Sequence, residues 1–373
     1  MAHPICFLPE HDPLESLPTP FSAWEETAKN LPKLLVASQF QKKLEELPLF
    51  PIDKLQTAAE YERAMQILSY FGHAYVWGQK NVPESIPEVL AKPWYIVAKH
   101  LGRPPVLSYA SYALTNWKRI DRAGPIDLGN IVLIQNFLGG IDEEWFILVH
   151  IAIESKASPA LVGCVEAISA VQNKDHQSLL QALQKIKGSL EAVCTTLKRM
   201  PEHCDPYIYY NRVRPYIHGW KDHPLIPKGL IYKGVQAYSE KPQQFRGETG
   251  AQSSIIPTLD GLLGIKHSQN ELYHYLQEMR EYMPPKDREF VSYVENTSLV
   301  RPFVQANPKF HEIYNECISL VNRFRQTHLS FAAAYVHKQH QDSANNPTAV
   351  GTGGTPFMEY LKKHKEETES FLL

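Results

Sequence analysis

The spacing of apolar residues predicts helices along most of this chain. From Ala58 to Tyr75, apolar residues recur every three or four positions, which is the periodicity of an amphipathic helix. The periodicity continues through Tyr95–Leu101 and Tyr109–Trp117, which are separated by a break at Arg103-Pro104-Pro105. Further helices are predicted over Ser178–Met200, which Pro201 stops, and over Glu271–Tyr282, Lys286–Glu295, Phe310–His337 and the segment from Pro356 onward.

Three segments depart from this pattern. The first fifty residues are rich in Pro and lack strong periodicity, so they predict an extended wrap over a domain surface. Phe146–Ala170 is strongly apolar and predicts a buried helical hairpin broken near Pro159. Asp205–Gly264 is irregular, and its many aromatic residues favour a functional segment over a disordered one. We find no internal repeat and no β-rich domain, so the predicted fold class is mainly α.

Composition narrows the class of protein. A chain of 373 residues has room for two packed units, and 43% hydrophobic with 21% charged residues is typical of a soluble globular protein. The net charge of −2 creates no field that would attract nucleic acid. No apolar run reaches the length of a bilayer span, and the N-terminus lacks a signal-peptide pattern. We therefore expect a cytoplasmic protein that binds neither nucleic acid nor membrane.

The five cysteines are scattered and include no CxxC pair, which indicates reduced thiols that mostly fill the core. The absence of CxxCH means that any haem would be held without covalent attachment. Two loose clusters, His203-Cys204-Asp205 and His337 with His340, lack the four ligands of a zinc site and are interpreted as surface.

His328 is the most informative polar residue of the predicted helix near the C-terminus. Between Phe324 and Phe331, it belongs to a stripe of residues spaced three and four apart, so it points inward. It is either a core histidine with a hydrogen-bonded ring or the axial ligand of a haem iron. Periodicity does not choose between the two. Arg323 and Arg325 lie within a turn and would meet either haem propionates or ion-pair partners.

Two further segments carry candidate chemistry. Phe146 and His150 share a helical face, and His150 is either a satisfied core residue or an acceptor for the N–H of an indole. Tyr207–Arg214 places two arginines among three tyrosines, which suits either bidentate capture of a substrate carboxylate or a structural ion pair. Pro215 is expected to restrict Arg214 towards extended geometry.

Two glycine-containing loops, Phe245–Ser254 and Gly351–Thr355, match neither a P-loop nor a dinucleotide fingerprint. Their small residues would instead let the backbone approach a flat ligand closely.

Taken in order, these segments resemble the indoleamine 2,3-dioxygenase family. The resemblance extends from about Tyr109 to the end of the chain, and the N-terminal part resembles the small domain of the family more loosely. The stretches that carry it are Asn116-Trp117-Lys118, Gly219-Trp220-Lys221, Gly250-Ala251-Gln252-Ser253-Ser254, Asp260-Gly261-Leu262-Leu263-Gly264-Ile265, Arg280-Glu281-Tyr282-Met283-Pro284-Pro285, Arg325-Gln326-Thr327-His328-Leu329 and Gly351-Thr352-Gly353-Gly354-Thr355.

The resemblance implies a smaller mixed or helical N-terminal domain over residues 1–137 and a large all-helical domain over residues 138–373. One non-covalent b-type haem per chain would lie between them, with His328 as the proximal iron ligand. Arg214 matches the arginine that pairs with the substrate carboxylate, and Phe146 matches an aromatic wall of the indole pocket. Tyr109 and Tyr209 fall at further distal-pocket positions.

Residues in two loops and near the proximal side of the haem also match positions of the family. Thr249, Gly250 and Thr352 match the loops that close over haem and substrate. Asp260 and Arg325 match a buried acid–base pair near the proximal side of the haem.

Four residues depart from the family pattern. His150 stands where vertebrate members carry a small hydroxyl residue, so the resemblance is to a non-vertebrate type with a distal-pocket histidine. Tyr209 replaces a phenylalanine, Tyr112 replaces a smaller residue, and Glu248 sits in a loop usually made of small residues. These changes shrink and polarise the pocket, which bears on substrate breadth.

The activity implied is insertion of O2 across the indole C2=C3 bond of L-tryptophan or a related indoleamine. The product would be N-formylkynurenine, in the first step of the kynurenine pathway. An external electron donor would keep the iron ferrous, and His150 and Arg214 would be the catalytic side chains. Two alternatives are a dioxygenase for a substituted tryptophan in secondary metabolism and a non-catalytic haem or gas sensor. A sensor would need no carboxylate clamp such as Arg214.

Overall fold

The computed structural model describes residues 6–339 and 357–373, and over these ranges the fold is mainly α, as predicted. The α-helices are α1 (Ser22–Lys29), α2 (Leu31–Val36), α3 (Phe40–Glu45), α4 (Ala58–Trp77), α5 (Glu88–Leu101), α6 (Ile141–Gln172), α7 (His176–Leu197), α8 (Pro206–Ile208), α9 (Arg214–Ile217), α10 (Ile255–Leu263), α11 (Glu271–Met279), α12 (Pro285–Thr297), α13 (Val300–Gln305), α14 (His311–Ala332) and α15 (Phe357–Glu369). Turns of π-helix cover Ala110–Leu114, Tyr209–Val213 and Ala333–His337. Turns of 3-10 helix cover Thr19–Phe21, Ile52–Lys54, Met200–Glu202, Gln236–Tyr238, Gly250–Gln252, Arg280–Tyr282 and Pro308–Phe310.

The β-strands of the described residues are short and pair two by two. Strand β1 (Ser85–Ile86) pairs in parallel with β4 (Ile231–Tyr232), placing Ser85 opposite Ile231. Strand β2 (Lys118–Arg119) pairs antiparallel with β3 (Ile131–Val132), placing Lys118 opposite Val132. The helices predicted near Ala58, Ser178, Glu271, Lys286, Phe310 and Pro356 are confirmed as α4, α7, α11, α12, α14 and α15.

The N-terminal segment is part of a core, so the extended wrap predicted for it is wrong. Helices α1, α2 and α3 fold within it and contribute buried residues such as Trp24, Leu31 and Phe40. Trp24 has no exposed surface, and its indole N–H donates to the carbonyl oxygen of Pro48 at 3.1 Å. Apolar burial of this kind stabilises short helices that are weak in isolation.

Helix α6 is continuous over 32 residues, so the predicted hairpin broken near Pro159 is wrong. Pro159 removes one backbone hydrogen bond, a cost of about 3 kcal/mol in a helix interior. Close packing against α7 outweighs that cost. At Gly163, a Cβ atom would lie 2.8 Å from Ile186 and 3.1 Å from the carbonyl oxygen of Ala182, so only glycine permits this approach.

Within the described ranges, α6 is also the one helix long and apolar enough to cross a membrane. However, 61% of its most apolar window is buried inside the fold. The core helix of a soluble protein has the same length and composition, so the feature is weak support for a membrane span.

The segment from Asp205 to Gly264 is more regular than predicted. Arg214 has φ −55° and ψ −39°, which is helical, so the expectation of extended geometry before Pro215 is wrong. Pro215 lies in the first turn of α9, where a missing N–H costs little. Helix α10 also forms inside this segment and ends at Gly264, whose φ of +66° is left-handed.

Two apolar cores hold the helices together. The first unites the N-terminal helices with α4 and α5 and also takes in Ile217, Leu230 and Tyr232 from later in the chain. The second is built mainly from α6, α7, α10, α12, α13 and α14. Helix α6 supplies residues to both cores. The division into residues 1–137 and 138–373 stays a prediction.

Four of the five cysteines are buried and Cys6 is half-buried, and all five are free thiols. This agrees with the prediction that they mainly fill the core. Cys204 is only 1% exposed, so the interpretation of the His203-Cys204-Asp205 cluster as surface is wrong for its central residue. The carbonyl oxygen of Cys204 accepts a hydrogen bond from the Tyr335 hydroxyl at 2.7 Å. His337 is exposed, as predicted, and His340 lies outside the described residues.

Candidate functional site

The candidate site begins on α6, where Phe146, His150 and Glu154 follow one another at intervals of four residues. This spacing places all three on the same face of the helix. The Phe146 and His150 rings lie 4.6 Å apart, and the Tyr209 ring also lies 4.6 Å from the Phe146 ring. Tyr109 meets His150 edge to face at 6.0 Å. The structure therefore brings together the four aromatic residues that the resemblance assigned to the distal pocket.

The tautomer of His150 follows from its hydrogen bond. Its Nδ1 atom lies 2.7 Å from the carbonyl oxygen of Phe146. A carbonyl oxygen can only accept, so Nδ1 carries the hydrogen and Nε2 bears a lone pair. Burial lowers the pKa of His150, which keeps the ring neutral. His150 thus offers Nε2 as a hydrogen-bond acceptor.

Arg214 is the buried member of the predicted arginine pair. It is 1% exposed, whereas Arg212 is exposed to solvent. Burial lowers the pKa of the Arg214 guanidinium, and its Cζ lies 5.2 Å from the centre of the Tyr210 ring. Arginine stays charged at neutral pH even when buried, so this side chain brings positive charge into the protein interior.

Glu154 is a site residue that sequence reasoning missed. Its Oε1 atom accepts hydrogen bonds from the Tyr109 hydroxyl at 2.9 Å and the Ser253 hydroxyl at 2.7 Å. Burial raises the pKa of Glu154 to about 7, so the side chain titrates near neutral pH. The available signal was its position one helical turn beyond His150, in an otherwise apolar stretch.

Gln252 links the glycine-containing loop Phe245–Ser254 to Tyr109 through two hydrogen bonds. Its Oε1 atom accepts the backbone N–H of Tyr109 at 2.9 Å, and its Nε2 atom donates to the carbonyl oxygen of Gly247 at 2.9 Å. Within this loop, Thr249 caps the following 3-10 turn by accepting the N–H of Ala251. The second loop that the resemblance predicts to close over haem and substrate, which contains Thr352, lies outside the described residues.

His328 lies on α14 and faces an internal space. Burial, and to a smaller extent the nearby ring of His150, lower its pKa to about 4. Yet the surface of His328 is exposed, in contrast to Val321 and Arg325 on the same helix. A side chain that lies deep in the protein but is not covered by neighbouring atoms borders a cavity. His328 and His150 are neutral imidazoles that approach this cavity from different helices.

These residues fit a haem held by one histidine. A Cβ atom added at Gly250 would meet nothing within 4 Å, so the loop also borders open space. Phe324 and Phe331, on either side of His328 in the sequence, are only half-buried and leave apolar surface uncovered. A neutral imidazole in apolar surroundings is the donor that a haem iron takes at its axial position.

The predicted Asp260–Arg325 pair is present. The Arg325 guanidinium donates to Asp260 Oδ2 at 2.5 Å and to the Thr368 hydroxyl of α15 at 2.5 Å. The charge of Arg325 and hydrogen bonds from His267 and Arg325 lower the pKa of Asp260, although burial opposes this. Since Arg325 lies one turn before His328, the pair anchors the helix that carries His328. Direct contact of Asp260 and Arg325 with a cofactor stays a prediction.

His267, His364 and Glu367 bring ligand atoms together near this pair, but their geometry does not suit a metal ion. The Nδ1 atom of His267 lies 2.7 Å from Glu367 Oε2, and its Nε2 atom lies 3.3 Å from Asp260 Oδ2. The rings of His267 and His364 stack at 4.0 Å, and both ring nitrogens of His267 already lie against carboxylate oxygens. We interpret the cluster as an ionic network that joins α15 to α10.

Comparisons with known proteins give a consistent result. The sequence profile of the family described as "Indoleamine 2,3-dioxygenase" matches residues 2–371. The chain is 38% identical to indoleamine 2,3-dioxygenase 1 of Rattus norvegicus, over 97% of this chain and 92% of the relative. It is 31% identical to the indoleamine 2,3-dioxygenase of Saccharomyces cerevisiae, over 97% and 90%. A 6-hydroxytryptophan 2,3-dioxygenase of Fusarium equiseti is 31% identical, over 95% and 92%.

Proposed function

Because the chain belongs to the indoleamine 2,3-dioxygenase family, we propose that this dioxygenase opens the indole ring of L-tryptophan to give N-formylkynurenine. The family establishes a dioxygenase that acts on tryptophan-like indoles. The choice of L-tryptophan, the residues involved and a place at the start of the kynurenine pathway are our inference. We also infer a cytoplasmic enzyme that depends on an external electron donor.

The first element of the proposal is the cofactor. His328 would hold a non-covalent haem b, one per chain, through the imidazole that borders the internal space. Its neutral state leaves a nitrogen lone pair for the iron. When bound and reduced, the haem would supply the iron that activates O2 for insertion into the indole.

Arg214 would bind the carboxylate of the amino-acid substrate. A guanidinium forms two parallel hydrogen bonds with a carboxylate. These hydrogen bonds are stronger in a buried setting than at the protein surface. Tyr210 lies against the guanidinium and limits its movement. This contact would fix the amino-acid end of tryptophan and thereby the direction of its side chain.

His150 would orient the indole. Its Nε2 atom is an acceptor because Nδ1 is committed to the Phe146 carbonyl oxygen. An indole N–H is a donor only, so it would donate to Nε2. His150 would therefore position the indole, and it does not need to remove the N–H proton.

Phe146, Tyr109 and Tyr209 would complete the pocket as apolar walls around the ring. With both ends of tryptophan held, the walls restrict the indole to one orientation and exclude water. Holding two reactants in a productive geometry accounts for a large part of many enzymatic rate enhancements.

One observation carries this proposal: His328 has open surface inside the protein, beside a histidine with a free acceptor. The full-length chain should be loaded with haem, reduced without oxygen, and then mixed with O2 and L-tryptophan. We expect the absorbance of N-formylkynurenine, and a shift of the Soret band when tryptophan binds. His328→Ala should abolish both. Oxygen binding without product would indicate a sensor, and an unchanged spectrum and activity in His328→Ala would refute the assignment.

A further inference from the structure

Glu154 is a buried carboxyl of the candidate site that the proposed mechanism does not use. It lies one helical turn beyond His150 on the same face of α6 and is 1% exposed. A buried carboxyl loses the solvation that it has in water, and donors that reach it offset this cost. Two such donors come from the surroundings of the pocket, and their positions indicate what the carboxyl does there.

The first donor is Tyr109, one of the aromatic residues of the candidate pocket. Its hydroxyl donates to Glu154 Oε1 at 2.9 Å. Its ring lies edge to face with the ring of His150, at a centroid distance of 6.0 Å. The side chain therefore spans two consecutive turns of α6, with its ring beside His150 and its hydroxyl on Glu154. The bond to Glu154 thus fixes the angle between the Tyr109 ring and His150.

The second donor is Ser253, near the end of the glycine-containing loop Phe245–Ser254. Its hydroxyl donates to the same oxygen, Glu154 Oε1, at 2.7 Å. The loop also holds the main chain of Tyr109, since Gln252 Oε1 accepts the Tyr109 N–H at 2.9 Å. Tyr109 is thus attached to this loop twice, at its backbone through Gln252 and at its hydroxyl through Glu154.

The loop is tightly packed near its start and open in its middle. A Cβ atom added at Gly247 would lie 2.2 Å from the backbone nitrogen of Gly219, so the two backbones are in direct contact there. At Gly250, by contrast, a Cβ atom would meet nothing within 4 Å. The open part therefore runs between the contact at Gly247 and the hydrogen bond from Ser253 to Glu154. Loss of this bond would release the open part of the loop at one end.

We propose that Glu154 is a positioning residue, which uses Oε1 to hold the Tyr109 ring and the loop Phe245–Ser254 in the arrangement that keeps tryptophan in one productive orientation. The inference rests on the function proposed above. Arg214 and His150 hold the two ends of the substrate without help from Glu154. Loss of the attachment therefore lets the indole tilt while it stays bound. Because rate depends on orientation more steeply than affinity does, kcat falls more than Kd rises.

The alternative role for Glu154 is direct proton transfer or charge stabilisation at the substrate. Its hydrogen-bonded oxygen is already engaged by two hydroxyl groups of the protein. Positioning needs only an acceptor at Oε1, and a carboxyl provides one whether it is ionised or carries a proton on Oε2. An amide in its place also keeps an acceptor oxygen but has neither the charge nor the acidic proton. Replacement by glutamine therefore separates the two roles.

The test compares Glu154→Leu, which removes the acceptor, with Glu154→Gln, which keeps it, in the full-length haem-loaded protein. For each variant, kcat is measured with saturating L-tryptophan, and Kd is obtained from the Soret shift of the ferric protein. We expect Glu154→Leu to lower kcat about ten- to hundredfold, while Kd rises about threefold or less. Glu154→Gln should restore kcat to within about threefold of the wild-type value.

Two milder substitutions test the same oxygen from the donor side. Tyr109→Phe and Ser253→Ala each remove one hydroxyl bonded to Glu154 and should each lower kcat. Combined with Glu154→Leu, neither should lower kcat further, because the shared acceptor is already absent. Tyr70→Phe is the matched control, since it removes a hydroxyl that is equally buried but donates to the carbonyl oxygen of Gln135. It should leave kcat unchanged.

Several outcomes would refute the proposal and leave the proposed function intact. Equal losses of kcat in Glu154→Gln and Glu154→Leu would assign a direct role to the charge or proton of the carboxyl. Additive losses in the double variants would show that the two hydroxyls act independently of Glu154. A wild-type kcat in Glu154→Leu, or a loss confined to Kd, would exclude positioning.

The donor-side variants decide the result if Glu154→Leu does not fold. A loss of kcat in both Tyr109→Phe and Ser253→Ala, absent from Tyr70→Phe, would support the proposal, and a wild-type kcat in either would refute it. If the wild-type protein neither binds nor oxidises tryptophan, both this proposal and the proposed function are wrong.

Discussion

His150 on α6 and His328 on α14 lie close enough that His150 adds to the effect of burial, and together they lower the pKa of His328 to about 4. Both rings are therefore neutral at physiological pH, and each keeps a nitrogen lone pair. One lone pair suits an iron atom and the other an indole N–H. The proposed function depends on these two different roles, with His328 as the iron ligand and His150 as the acceptor for the indole N–H.

The role of His150 can be isolated by comparing two ligands. Replacing it with alanine should weaken the binding of L-tryptophan about fivefold, because a hydrogen bond of roughly 1 kcal/mol is lost. Binding of 1-methyl-tryptophan, which has no indole N–H, should change much less. Kd for both ligands is measured by Soret titration of the ferric protein. Equal losses for the two ligands would remove His150 from this role.

The carboxylate contact of Arg214 predicts a dependence on substrate structure. Arg214→Lys keeps the charge but loses the bidentate geometry, so kcat/KM for L-tryptophan should fall about ten- to hundredfold. Binding of tryptamine, which lacks the carboxylate, should be little affected. Arg212→Lys serves as the control because Arg212 is exposed. A similar loss for tryptophan and tryptamine would show that Arg214 supports the fold and does not bind the carboxylate.

The Asp260–Arg325 pair predicts a large effect on stability. Asp260→Asn preserves the shape of the side chain but leaves the buried guanidinium without its anionic partner. Removal of one member of a buried pair costs about 3–5 kcal/mol. The free energy of unfolding should be measured by urea denaturation of the haem-free protein. Glu166→Gln is the control, since Glu166 and Lys185 form an exposed pair that contributes about 1 kcal/mol or less. Comparable effects of the two substitutions would contradict a structural role for Asp260.

Glu248 predicts a loss of stability as the pH rises. Its pKa is about 8 in the folded protein, above the ordinary value of 4.5, so the folded state holds a proton that the unfolded state has released. This contribution is fully present below about pH 4.5 and is lost as the pH approaches 8. The advantage of wild type over Glu248→Gln in unfolding free energy should therefore fall by roughly 1–2 kcal/mol between pH 6.5 and 8.

That window separates Glu248 from the buried histidines. Burial lowers the pKa of His328 to about 4 and of His73 to about 3, both below the ordinary 6.5, so their effect on stability is complete near pH 6.5. Glu154 and Asp287, whose pKa values are raised to about 7, contribute to both proteins and cancel in the comparison. Parallel stability curves for wild type and Glu248→Gln would show that this carboxyl is ionised in the folded state.

Local sequence determined the helices whose apolar residues repeat regularly. Helices α4, α7, α11, α12 and α14 were predictable because a period near 3.6 places one face against the core wherever that core lies. The pairing of His328 with Phe324 and Phe331 on one helix was visible for the same reason. Its assignment as an iron ligand was not, since periodicity is the same for a core histidine; that assignment came from the resemblance of whole motifs.

Tertiary packing decided the rest. Pro159 should end a helix by local rules, but contact with α7 across Gly163 keeps α6 continuous. Arg214 is helical before Pro215, because the π-helical turn Tyr209–Val213 continues directly into α9 there. The hydrogen bonds from Tyr109 and Ser253 to Glu154 join residues far apart in the chain. Such contacts depend on how helices pack in three dimensions, which no local periodicity encodes.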